Sequence, residues 1–279
     1  MKKGGTMTYY NKIIEATSFI ENFVKENIDY AIVLGSGIKL ELENQKELSY
    51  FDIPNFPIRK NYSTVKGHSN KITFGRIKNK NIMIFNGRLH YYEGYSMKDV
   101  TFFVYICKFL KVKGLFITNA CGAINENFSE GDIIYLDDFI SLVSNNPLIG
   151  ENDLRLGERF VDMTTPFSEK INSTLLKSAK DLNISLKKGV YGFFMGPYFE
   201  TRAEIRAFKT LGCGLVGMST VPEVIAANHA KLEVSVLSCV TNMATGIQNK
   251  KHNHEHVLNV ANSISHNLKN LLLKTLENL

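Results

Sequence analysis

Short, almost wholly apolar runs alternate with amphipathic stretches from one end of the chain to the other. "YAIVLGSG" (30–37), "NIMIFNG" (81–87), "GLFITNA" (114–120), "DIIYLDDFI" (132–140), "GVYGFFMG" (189–196), "GLVGM" (214–218) and "EVSVLSCVTN" (233–242) predict buried strands. Between or after them, helical periodicity covers Thr8 to Glu26, Ser96 to Val112, Ser168 to Leu182, Thr201 to Leu211, Thr220 to Ala230 and Asn253 to Leu279. Such alternation predicts an α/β fold, with a mostly parallel or mixed central sheet flanked by helices. No repeat, low-complexity tract or linker interrupts the 279 residues, so a single domain over 1–279 is expected, with 1–7 a poorly structured start. The stretch from Val143 to Thr165, "VSNNPLIGENDLRLGERFVDMTT", has weak periodicity and many turn residues and predicts a long surface loop, of a length that often carries function.

Helix starts account for several carboxylates. Thr201 with Glu204, Thr220 with Glu223, and Ser96 with Asp99 fit the capping box, in which a hydroxyl and a carboxylate three residues on satisfy free backbone N–H groups. Glu200 has no such task. It precedes a cap at the carboxyl end of a predicted strand, the edge at which open α/β sheets hold their ligands.

Composition narrows the classes. The chain is 44% apolar, enough for a sizeable core, and no stretch approaches the roughly 20 uncharged residues of a membrane span. No membrane partner is therefore expected, and the cytoplasm is the expected compartment. The four cysteines are far apart, with no C-x-x-C pair, and read as small core residues. The net charge of +6 comes from lysines scattered without a basic block, so no nucleic-acid face is expected, while a small anion such as phosphate is compatible.

Polar groups then collect at predicted strand ends. In "LGSGI", Gly35, Ser36 and Gly37 fit either a tight turn or a cradle for an anion, but neither a P-loop nor a dinucleotide fingerprint. "NGRLHYYEGY" sets Arg88 and His90 directly after a strand, as a phosphate grip or as an exposed arginine beside a hydrogen-bonded histidine. "TNACGA" (118–123) is a small-residue strand end, and His68 in "KGHSN" is by spacing alone a loop histidine. "GMSTVPE" puts Met218 and Ser219 before a helix N-terminus, where anions and hydroxyls are favoured. "CVTNMATG" ends a strand with Thr241 and Asn242, whose amide fits a flat heterocycle or an Asx turn. The histidines of "KKHNHEHV" lack the H-E-x-x-H order, and no metal is expected there.

Taken together, these segments carry a family resemblance. The run from Tyr191 to Asn242 closely resembles the purine nucleoside phosphorylases of the low-molecular-mass, trimeric type, and "LGSG", "GH", "GRLHYYEGY", "TNACG" and "NHEHV" resemble that family in the same order over almost the whole chain. The resemblance implies a single-domain fold whose mixed sheet is distorted toward a barrel. It also implies that a purine nucleoside and inorganic phosphate are exchanged for free base and ribose 1-phosphate, with no cofactor beyond phosphate as co-substrate, in a homotrimer. Matched residue by residue, it places Ser36, His68, Arg88, His90, Ser219 and the backbone at Ala120 on phosphate. Tyr92, Met218 and His254 would face the ribose, Phe199 would pack on the base, Glu200 would accept from its N1–H, and Asn242 would meet N7 and O6. Phe160 resembles the aromatic that a neighbouring subunit supplies. Asn242, Glu200 and His90 are the expected catalytic group.

Asparagine at 242, where the related methylthioadenosine phosphorylases carry aspartate, points to the 6-oxopurines inosine, guanosine and their deoxy forms. The alternatives are a 6-aminopurine specificity, a nucleoside hydrolase using water, and a non-catalytic purine sensor. Three positions depart from the family pattern: Asn70 stands where glycine is usual, Tyr198 where a small or polar residue is commoner, and Ile38-Lys39 follow the first turn without a further glycine.

Overall fold

The computed structural model describes residues 7–35, 37–59, 69–248 and 254–279. The expectations for 1–6, Ser36 and His68 fall outside the described residues, as does the side chain of His254, whose backbone opens the last helix.

Every expected strand and helix is present. The chain runs α1 (Tyr9–Val24), β1 (Tyr30–Val33), β2 (Glu43–Ser49), β3 (Lys71–Ile77), β4 (Lys80–Phe85), α2 (Met97–Val100), α3 (Phe102–Phe109), β5 (Gly114–Ala123) and β6 (Ile133–Ser141). It continues with α4 (Glu169–Asp181), β7 (Leu186–Phe193), α5 (Arg202–Thr210), β8 (Leu215–Gly217), α6 (Val221–His229), β9 (Val234–Met243) and α7 (His254–Asn278). The unbroken apolar runs of the central strands have a direct cause, because both sheet faces are covered. Ala31 and Val33 of β1, Met83 and Phe85 of β4, and Leu115 and Ile117 of β5 enter one core with α1, α3 and α6. Tyr30, Ile32, Ile82, Ile84 and Phe116, the alternate positions, enter a second core with α4 and α7.

The strand order is β2-β3-β4-β1-β5-β8-β7-β6-β9, and β9 pairs back onto β5. Five strands therefore close into a barrel, and β1 to β4 extend from β5 as a wing. The sheet is mixed: β1 is parallel to β4 and β5, β5 to β9, and β7 to β6 and β8, whereas β8 runs antiparallel to β5. This last pairing, Gly122 to Val216 and Ala123 to Leu215, directs the carboxyl end of β8 back along β5 toward Thr118 to Ala120. The ends of β1, β4, β5 and β9 are brought to that same edge.

Three sequence expectations need correction. The helix expected over Ser96 to Val112 is two, α2 and α3, broken at Thr101, whose buried hydroxyl donates to the Met97 carbonyl at 2.9 Å and bends the backbone there. Ser96 with Asp99 and Thr201 with Glu204 do form capping boxes. The Thr220 hydroxyl, by contrast, does not cap α6, and Glu223, beside the Thr220 backbone, also pairs with Arg88. Finally, β2 and β3 were not expected, since β2 is the largely exposed "ENQKELS". No described helix is long and apolar enough to cross a membrane.

Candidate active site

Local chemistry fixes each strand end. After β1, the Gly35 N–H donates to the Thr118 hydroxyl at 2.9 Å, and that hydroxyl donates to the Val33 carbonyl at 3.1 Å, drawing the first turn onto β5. A Cβ at Gly35 would lie 2.9 Å from the Asn119 Cα, so only glycine permits this approach. After β4, the buried Tyr50 hydroxyl holds the Gly87 carbonyl at 2.9 Å, and the next residue, Arg88, is sent into the interior with 4% exposure.

Arg88 joins three segments. Its Nη2 donates to the Thr118 carbonyl, and its Nη1 lies 3.4 Å from Ser219 Oγ, 3.3 Å from Thr220 Oγ1 and 3.3 Å from Glu223 Oε2. Glu223 is fully buried. Burial pushes its carboxyl above the ordinary range, while the Arg88 guanidinium and the Thr220 backbone draw it back. His90 follows two residues after Arg88. Its Nδ1 is 3.0 Å from Glu93 Oε2, the same oxygen accepts from the His90 N–H at 2.9 Å, and its ring stacks on Tyr92 at 4.7 Å. Burial lowers the His90 pKa against the pull of Glu93, so the imidazole is neutral near pH 7.

Asn242 ends β9 opposite Gly122 of β5, where a Cβ would come within 3.2 Å of its Nδ2. The Thr241 hydroxyl lies 3.1 Å from Asn242 Oδ1, and Nδ2 donates to the Met243 carbonyl at 3.2 Å. Beyond β7 come Phe199 and Glu200. Glu200 is 5% exposed, and burial pushes its carboxyl up to about 7, with Glu204 adding to the rise and a backbone contact opposing it. Met218, leaving β8, lies against Gly196 of the same β7–α5 turn.

The structure thus unites Arg88 and Ser219 beside Thr118 of β5, with the stacked His90 and Tyr92 near enough to Arg88 to feel its charge. It sets Met218 at the β7–α5 turn that bears Phe199 and Glu200, and Asn242 on the strand paired to β5. Ala120 is partly open on β5 between these groups. Phe160 stands apart in its own chain: it is 87% exposed, on the expected long loop. Of the departures from the family pattern, Asn70 adopts φ +50°, a left-handed conformation that asparagine tolerates better than other non-glycine residues. Tyr198 faces outward, with its hydroxyl 3.2 Å from Glu204 Oε1. The first turn closes without a further glycine, through the Ile38 N–H on the Gly35 carbonyl at 3.3 Å.

Sequence reasoning read Thr118 and Asn119 only as part of a small-residue strand end and Thr220 with Glu223 only as a capping box, and it missed Glu93. The pairing of β1 with β5 reveals Thr118, and the pairing of β8 with β5 reveals Asn119 and Thr220. Glu93 had a local signal, standing three residues after His90.

A buried arginine with Ser219, a buried carboxyl and a strand-end amide thus lie along one edge of a barrel-closed mixed sheet, and known proteins place this architecture in a nucleoside-processing class. The Phosphorylase superfamily matches residues 29–277, and the chain belongs to it. Purine nucleoside phosphorylase 1 of Bacillus subtilis is 42% identical over 257 residues, 91% of this chain and 93% of the relative. A Schistosoma mansoni purine nucleoside phosphorylase solved with inosine is similar with a TM-score of 0.91, at 30% identity and 98% coverage of both chains. Isoform 2 of that enzyme, solved with cytosine and ribose-1-phosphate, has a TM-score of 0.90 at 34% identity and 97% coverage of both. Within the superfamily this chain therefore stands among the purine nucleoside phosphorylases.

Proposed function

We infer that the protein cleaves purine nucleosides with inorganic phosphate, giving free base and ribose 1-phosphate. The observation that carries this reading is the Arg88 guanidinium, buried and aimed from the end of β4 at Ser219, on the sheet edge that also holds Asn242. An anion held there lies against the sugar. As the glycosidic bond breaks, the ribose becomes oxocarbenium-like and the leaving purine gains negative charge. Phosphate stabilises the first, and an N–H of Asn242 at N7 stabilises the second. Rate comes from orientation and placed dipoles, without a protein nucleophile. His90, with Nδ1 turned to Glu93, would meet phosphate through Nε2, and in the neutral ring this nitrogen accepts a hydrogen bond from the O–H of monohydrogen phosphate. Ser36, His68 and the backbone at Ala120 complete the phosphate contacts in this reading. Tyr92, Met218 and His254 face the sugar, and Phe199 and Glu200 face the base. No cofactor beyond the co-substrate phosphate takes part, and four buried free cysteines suit a reducing cytoplasm.

The deciding experiment is turnover of inosine, guanosine, adenosine and methylthioadenosine with and without phosphate. Expected are strict phosphate dependence, ribose 1-phosphate as product, and preference for the 6-oxopurines. Free ribose formed without phosphate would establish a hydrolase, preference for adenosine or methylthioadenosine would establish 6-aminopurine specificity, and binding without turnover would establish a sensor.

Glu200 gives the base site a pH signature. As a carboxylate it accepts from N1–H, but alone in its pocket it takes up a proton near pH 7. Base binding must expel that proton, so affinity for hypoxanthine falls by up to roughly tenfold per pH unit below 7 and is level above it. Calorimetry at pH 6 in buffers of different ionisation enthalpy is expected to show release of close to one proton from the protein, and none at pH 8.5. Absence of proton release across the whole range from pH 5 to 7 would show that Glu200 is not the N1 acceptor.

Phe160 completes the site in a homotrimer. Exposed Leu142, Ile149, Leu154 and Phe160 lie on or beside one loop, an apolar surface suited to a second copy of the chain. Phe160→Ala is expected to raise the KM for inosine roughly tenfold, the worth of one aromatic packing contact, with the KM for phosphate unchanged. Sedimentation of the parent at the mass of one chain would remove the shared site.

A further inference from the structure

Thr220 is backbone-strained and wholly buried. It has φ +78° and ψ −51°, and the Val221 N–H donates to the Ser219 carbonyl at 2.9 Å, which makes Thr220 the centre of the rare γ-turn of positive φ. A β-branched residue in that region is an outlier, and glycine would relieve it. Glycine has no hydroxyl, however, and this hydroxyl is the hub of the surrounding polar groups. Asn119 Nδ2 donates to it at 2.9 Å and Arg88 Nη1 at 3.3 Å, while Ser219 Oγ lies 3.1 Å away.

The Asn119 amide donates to one lone pair of Thr220 Oγ1, while the two Arg88 Nη1 hydrogens are shared among Thr220 Oγ1, Ser219 Oγ and Glu223 Oε2. Thr220 Oγ1 therefore ties Asn119 of β5, Arg88 after β4 and Ser219 after β8 to one point. Ser219 also lies beside the buried Tyr191 hydroxyl and, unlike Thr220, is partly open.

We propose that Thr220 is a positioning residue for phosphate: its hydroxyl, held on Asn119, keeps the Ser219 hydroxyl and the Arg88 fork in register with one another and with the oxyanion. This rests on the phosphorolytic reading above. Thr220 itself does not touch the anion. Strain at functional turns persists where the surroundings over-determine it, and here Asn119, Arg88 and the start of α6 do so, the last through the Val224 N–H on the Thr220 carbonyl at 2.9 Å.

The test compares Thr220→Val, Thr220→Ala and Thr220→Ser with the parent, measuring KM for phosphate and for inosine separately, and the thermal shift that phosphate produces. Val and Ala are expected to raise the KM for phosphate roughly 10- to 100-fold, as loss of a charge-assisted contact does, and to shrink the phosphate-induced shift. At saturating phosphate their KM for inosine should stay within about twofold, and Ser should restore phosphate binding to within about threefold, a split that general loosening would not give. If Val does not fold, Ala carries the same reading. The proposal is overturned if phosphate KM is unchanged in Val and Ala, if both KM values rise together, or if Ser is as impaired as Val. A parent without phosphate-dependent cleavage overturns the functional reading instead, and the two failures are told apart in the same assay.

Discussion

Arg88→Met is expected to lose kcat/KM for phosphate by roughly 10²–10³-fold, the cost of truncating one partner of a buried charged contact. The same change is expected to destabilise the free protein by about 3–5 kcal/mol, because it leaves the Glu223 carboxylate unpaired in the core. Arg88 and Glu223 are 3.3 Å apart with side chains almost wholly out of solvent, so neither has water to fall back on. The sign of the pH dependence follows. Burial already raises the Glu223 pKa, and without Arg88 it rises further, so the native state holds a proton that the unfolded chain has released. The deficit of Arg88→Met is therefore small near pH 4.5 and grows as pH climbs toward 8. Adding Glu223→Gln is expected to recover most of the stability at pH 8 and none of the phosphate binding. Denaturant melts of the three proteins at pH 5 and 8 check this. A single-variant deficit independent of pH would mean that Glu223 is not the charge left behind.

That pair also marks where the sequence ceases to be legible. The buried strands were readable because both faces of β1, β4, β5 and β9 are covered, which leaves near-continuous apolar runs in the chain. The helices were readable from periodicity and from hydroxyl caps such as Ser168 and Thr201. β2 was not, since its exposed residues serve only as partners to β3 across a bulge. In the candidate site, the residues that sequence can propose are those close together at strand ends: Arg88 with His90, Phe199 with Glu200, Met218 with Ser219. Thr220 and Glu223 looked like a capping box, and local spacing alone cannot distinguish that from what they do. Their partner is 135 residues away from Glu223 in the chain, and only the antiparallel return of β8 onto β5 brings Arg88 to them. Register decides the chemistry there, and register is not a local property.

The other large effect belongs to the opposite end of the site. Asn242→Ala is expected to lower kcat for inosine by roughly 10²–10³-fold, as removal of one donor from a developing anion does, with little change in the KM for phosphate. The orientation of this amide is prepared before substrate arrives: one Nδ2 hydrogen goes to the Met243 carbonyl at 3.2 Å, and the Thr241 hydroxyl, shared with the Cys121 carbonyl at 3.3 Å, lies 3.1 Å from Oδ1. In the phosphorolytic reading the second Nδ2 hydrogen is the one that donates to N7, and Gly122 gives it room. Because the interaction strengthens only as charge moves onto the purine, its loss should appear in kcat more than in nucleoside affinity. Asn242→Asp replaces the donor with an acceptor. It should cost inosine turnover on the same scale while costing adenosine less, since a carboxylate can take the hydrogen of a 6-amino group. The measurement is the ratio of kcat/KM for adenosine to that for inosine, which should rise in Asn242→Asp and stay near the parent value in Asn242→Ala. If the ratio is unmoved by aspartate, the selectivity lies with Glu200 instead, and the pH dependence of hypoxanthine binding would then carry the whole of the base recognition.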